Sequence, residues 1–67
     1  MSTLEFYLTR ADECARDAEQ TALVNVKDRH LRAQAAWLAM ADRLRQTADA
    51  RAVVAAEKAA IAVAAEA

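Results

Sequence analysis

The chain contains neither glycine nor proline in its 67 residues, and that absence constrains its fold more than any residue present. Tight hairpin turns need a residue that tolerates positive φ, and glycine is the usual one. A β-sheet therefore has almost nothing to turn on. Helices lose their two strongest interrupters and are free to run long. Alanine supplies 20 of the residues. It is the best helix former and a poor source of buried area. The sequence predicts an all-α chain that is rich in helix and short of core. At this length it forms a single domain, residues 1–67, in the range where one core is marginal.

The first helix is predicted over about residues 3–22. Ser2 with Glu5 three residues on matches a capping box, in which side chains satisfy free backbone N–H groups at the helix start. At ~100° per residue, Leu4, Tyr7, Leu8, Ala11, Cys14, Ala15, Ala18 and Ala22 fall on one arc. Glu5, Asp12, Glu13, Arg16, Asp17, Glu19 and Gln20 take the other side, where Asp12–Arg16 and Glu13–Arg16 are spaced for ion pairing. Phe6 is the exception. It projects near the middle of the polar face.

The connection is expected near Thr21 to Asn25, with Asn25 as N-cap and Asp28 favouring the positive end of the next helix dipole. So short a link implies an antiparallel neighbour, with Leu23 and Val24 closing the end of the hairpin. The second helix is predicted over about residues 26–62. Val26, His30, Ala33, Trp37, Met40, Leu44 and Ala48 share its main face, flanked by Ala36 and Ala41. Leu4, Tyr7, Leu8, Ala11, Cys14 and Ala18 are thus the expected core of the first helix, and Ala33, Trp37, Met40 and Leu44 that of the second. Asp28–Arg32 and Arg45–Asp49 are placed to pair on its exterior.

A second stripe, Leu31 and Leu38, lies about 120° from the first. A single partner helix cannot cover both. Beyond Ala48 the main stripe turns polar at Arg51 and Lys58, and Val54 and Ile61 move the apolar seam to another face. Thr47 and Asp49 mark a potential break near 46–49, although one continuous helix is the better reading without glycine or proline. Such a helix would outrun the first and overhang its own hairpin.

The series Tyr7-x2-Arg10-Ala11-x2-Cys14-x3-Ala18, then Asn25-Val26, Arg29 and Ala36-Trp37-x2-Met40-Ala41, resembles a group of short bacterial proteins of unknown function, found mostly in proteobacterial genomes. The resemblance covers roughly residues 7–44 and excludes the alanine-rich tail. It implies a small helical hairpin and no assigned activity.

The net charge of −1 provides no overall attraction to nucleic acid or an anionic membrane. Its distribution is uneven: residues 2–22 carry a net −3 and residues 27–51 a net +3, which suits two helices laid together. Arg29, Arg32 and Arg43 share a side, interrupted by Asp28 and Asp42. A solvated face is the simpler account of this row, with a dimeric nucleic-acid-associated regulator as the alternative. No stretch is long and apolar enough to span a bilayer, and the tail lacks the bulky apolar and basic faces of a membrane-surface helix. The N-terminus has no signal-peptide pattern. The lone Cys14 fits a reducing, cytoplasmic setting.

Catalytic constellations are sparse. Cys14 and His30 are each the only residue of their type, no glycine-containing oxyanion turn is available, and a two-helix unit offers no large pocket. Packing explains a small thiol on an apolar arc. The Glu-x-x-His pattern of carboxylate-bridged bundles does not occur. Neither metal nor cofactor is expected, and the chain reads as no enzyme. The expectation is a helical hairpin with a long second helix that self-associates, a homodimer being favoured, as a four-helix bundle or coiled-coil-like oligomer. Phe6, Leu31, Leu38, Val54 and Ile61 are the candidate interface residues, offered to a second copy or to a protein partner.

Overall fold

Ser2 starts the first helix in extended geometry (φ −75°, ψ 161°), and its hydroxyl accepts the Glu5 backbone N–H at 3.1 Å. Free N–H groups at a helix start are costly to leave unmet, and this contact satisfies one of them. In the computed structural model, which describes residues 2–66, the chain is all-α and consists of α1 (Thr3–Gln20) and α2 (Val24–Glu66).

The connection is shorter and earlier than the sequence suggests. α1 stops at Gln20, so Ala22 lies outside it and is exposed, and Asn25 sits inside α2 rather than capping it. Thr21 makes the turn. Its backbone is extended (φ −108°, ψ 138°), and its hydroxyl accepts the Leu23 N–H at 3.2 Å. The Leu23 carbonyl then accepts the Lys27 N–H at 2.9 Å, which places Leu23 where the N-cap stands. A threonine that satisfies the backbone two residues on competes effectively with the asparagine. Among the described residues no φ is positive, so the turn is made without the conformation that glycine would supply. Leu23 and Val24, expected to close the hairpin end, are 66% and 72% exposed. Leu23 stands at the N-cap of α2 and Val24 is its first residue, and α1 has already ended at Gln20.

α2 runs unbroken through residues 46–49 and four residues beyond the expected end at 62. At ~1.5 Å per residue it is about 65 Å long against ~27 Å for α1, which accounts for a molecule measuring 66 × 20 × 11 Å. The start of α1, at Thr3 and Leu4, lies beside Leu44, Ala48 and Asp49. From residue 50 onward α2 continues alone. The radius of gyration is 19.1 Å, where a compact domain of this length has about 11 Å.

The buried residues, Ala11, Cys14, Ala18 and Ala41, are all small. Cys14 and the two α1 alanines recur at i, i+3 and i+7, so the helix backbones approach closely along a narrow seam. Leu4, Tyr7, Leu8, Ala33, Trp37 and Met40 are half-buried along its flanks. Leu44, expected in the core, is 36% exposed. It falls at the open end of the hairpin, where α1 begins and has no further residues to cover it.

Candidate interaction surfaces

Trp37 is the fixed point of the hairpin. Its indole meets Phe6 edge-on (centroids 5.7 Å apart, 89° between planes) and Tyr7 at 5.8 Å, while the Arg10 guanidinium lies 5.6 Å above the ring. Arg10 is held there by Glu13, at 2.8 Å. Phe6 is therefore no isolated surface aromatic. The helical wheel places its Cα on the polar side, but rings as long as those of Phe6 and Trp37 meet around the flank of the interface. Phe6 remains 45% exposed, so one edge of the cluster stays open. Arg10 is the functional-looking residue that residue type alone concealed; its signal is the i,i+4 spacing from Phe6, which places both on one side of Trp37.

The ion pairs are local. Asp12–Arg16 forms at 2.8 Å as its spacing predicts, whereas Glu13 pairs back to Arg10 instead of forward to Arg16. Among the described residues, Asp28–Arg32 and Arg45–Asp49 do not pair, and no ion pair or side-chain hydrogen bond crosses from α1 to α2. The opposite net charges of the two halves are not converted into contacts. Exposed pairs of this kind contribute only ~0–1 kcal/mol each; packing holds the hairpin.

Around α2, three faces separate at ~100° per residue. The first, centred on Trp37, meets α1. The second carries Leu31 and Leu38, 43% and 45% exposed. The third carries Arg29, Arg32 and Arg43 and continues into Val54 and Ile61, 47% and 69% exposed. The five candidate interface residues therefore do not make one patch: Phe6 belongs to the Trp37 cluster, the leucines to one face, and Val54 and Ile61 to the opposite flank. The arginine row is also divided. Arg29 and Arg32 line a hollow of about 270 Å³ with Asn25 and Asp28, while Arg43 lines another of about 290 Å³ with Tyr7, Met40, Leu44 and Thr47.

A further hollow of about 310 Å³ lies at the open end of the hairpin, with Thr3, Leu4, Leu44 and Ala48 alongside Arg45 and Asp49. Past it, residues 50–66 are all exposed, including Val53, Val54, Ile61 and Val63. Cys14 is buried and His30 half-buried. Among the described residues, no three His, Cys, Asp or Glu side chains group as metal ligands, and no helix is long and apolar enough to cross a membrane. Comparisons with protein-family models, with curated proteins and with solved structures find no match to this chain.

Proposed function

We propose that the chain is a small non-enzymatic interaction module that self-associates through α2 and presents the remaining helical surface to a protein partner. The observation that carries this reading is the solitary C-terminal part of α2, residues 50–66, a helical rod of about 25 Å with four exposed branched aliphatic residues and no packing of its own. The total accessible surface, 5376 Å², exceeds by roughly 1,200 Å² what a folded monomer of this mass exposes. Covering that excess on each of two copies would bury about 2,400 Å², within the range of permanent dimers. A reducing cytoplasmic setting suits the free, buried thiol of Cys14.

Sedimentation velocity over a wide concentration range tests the proposal. The expected result is a dimer that dissociates on dilution; a monomer at every concentration overturns it. The alternative, a dimeric nucleic-acid-associated regulator, draws on Arg29 and Arg32 sharing one hollow with a single opposing charge, Asp28. Phosphate binding of that kind weakens steeply with salt, so fluorescence anisotropy with labelled duplex DNA across a salt series distinguishes it. Binding that is absent or insensitive to salt removes it.

A further inference from the structure

We infer that α2 carries a self-complementary antiparallel seam, in which Leu31 and Leu38 of one copy face Val63 and Ala56 of a second, around a central pair of Arg45–Asp49 bridges. The inference rests on the self-association reading above and specifies its face, direction and register.

The seam follows from spacing. Carrying the leucine face forward by sevens from Leu31 gives Leu38, Arg45, Ala52 and Ala59. The residues four beyond each are Ala35, Asp42, Asp49, Ala56 and Val63. Alternating steps of three and four are the a and d positions of a coiled coil, and antiparallel coils pack a against d. Every one of these positions is exposed in the chain. None is buried against α1, although Arg45 and Asp49 border its first residues.

One antiparallel register sets every a position against a d position and leaves a single charge unmatched. With Leu31 opposite the second copy's Val63, Leu38 falls opposite Ala56, Ala35 opposite Ala59, and Asp42 opposite Ala52. Arg45 falls opposite Asp49, and by the twofold axis Asp49 falls opposite Arg45. These two are one of the i,i+4 pairs that form no bridge among the described residues, and both border the hollow at the open end of the hairpin, which the second copy would cover. Asp42 is the one unmatched charge. It already accepts a hydrogen bond from Gln46 at 2.9 Å, and the small alanine opposite leaves it room to reach water.

The alternatives are poorer. A parallel pair in register stacks Asp42, Arg45 and Asp49 each against itself. An antiparallel slip of one heptad in one direction bridges Arg45 to Asp42, but it sets Asp49 against Leu38 and loses the Leu31–Val63 layer. In the other direction it strands all three charges against alanine. Juxtaposed like charges are the stronger discriminators in such seams. Val54 and Ile61 take no part, being on the far flank, and stay available to a different partner.

The test is a charge exchange read by sedimentation and by mixing of tagged copies. Arg45→Asp and Asp49→Arg are both exposed substitutions, so circular dichroism should show an unchanged hairpin. Each alone should raise the dimer dissociation constant about tenfold or more. Mixed together, the two variants should pair with each other, because both bridges then set a carboxylate of the Arg45→Asp chain against a guanidinium of the Asp49→Arg chain. Leu38→Asp should give a monomer, while Val54→Asp and Ile61→Asp should dimerise like the parent. A parent chain that stays monomeric overturns both this seam and the self-association reading. A parent dimer whose charge variants pair unchanged, or fail to recover on mixing, overturns the seam alone.

Discussion

Trp37→Ala isolates what holds the hairpin together. Trp37 is half-buried, and its truncation withdraws on the order of 120 Å² of buried apolar surface, or ~3 kcal/mol at ~25 cal/mol per Å². The edge-on contact with Phe6 and the tilted contact with Tyr7 add about 0.5–1.5 kcal/mol each in the most favourable case. Arg10 over the ring adds ~0.5–1 kcal/mol at so exposed a site. These terms overlap, and a total of about 4 kcal/mol is a fair centre. A core of this size provides about 3–5 kcal/mol in all, so the variant should lose its cooperative unfolding transition. Tryptophan fluorescence disappears with the residue, so the assay is far-UV circular dichroism against temperature at fixed protein concentration. Residual helix should remain in the alanine-rich part of α2, melting broadly. Trp37→Phe keeps a ring against Phe6 and should stay folded. A Trp37→Ala variant with a cooperative transition within ~5 °C of the parent, a shift equivalent to about 1 kcal/mol for a chain this small, would refute the account.

Phe6→Ala should destabilise the hairpin by about 1–2 kcal/mol and leave the dimer constant unchanged. In a double-mutant cycle with Trp37→Leu, the two sites should couple by ~0.5–1.5 kcal/mol; additive effects would mean that the ring contact contributes nothing. Ala18→Leu forces a larger side chain into the most closed point of the seam, where Ala18 is 1% exposed, and should cost ~1–3 kcal/mol in urea unfolding. An unchanged midpoint would show that the helices do not meet closely there.

What can be read in the residues divides by the range of the interaction involved. The Ser2–Glu5 cap, the apolar arc of α1 and the uninterrupted length of α2 are local matters of period and propensity, and each is visible in the residues. Choices between near neighbours are not. Asn25 is a better N-cap than Leu23 by residue type, yet the Thr21 hydroxyl reaches the Leu23 N–H and moves the start of α2 by two residues. Glu13 has an arginine on each side at i±3; Arg16 is taken by Asp12, and Glu13 pairs with Arg10, whose guanidinium also lies over Trp37. Phe6 escapes for a related reason: a wheel ranks Cα directions and takes no account of two long rings meeting beside an interface lined with alanine. The overhang is legible from helix lengths alone, whereas the separation of Leu31/Leu38 from Val54/Ile61 requires following one straight helix over its full length.

The same composition that starves the core explains how α2 can stand alone. A short isolated helix is marginal in water, because the first turn is costly to nucleate while each added residue is cheap. In α2 the hairpin supplies the nucleus, and the alanines from Ala48 onward propagate helix at the lowest cost available to any residue. The rod is therefore ordered before anything binds it. Ordering an interface at the moment of binding costs ~0.5–1.5 kcal/mol per immobilised side chain, and alanine has almost no side-chain freedom to lose. A seam built of two leucines, a valine and many alanines buries modest area per residue, so its strength must come from length, preorganisation and the two central bridges. α1 and Trp37 then act chiefly as the anchor that starts the rod and fixes which of its three faces is already taken.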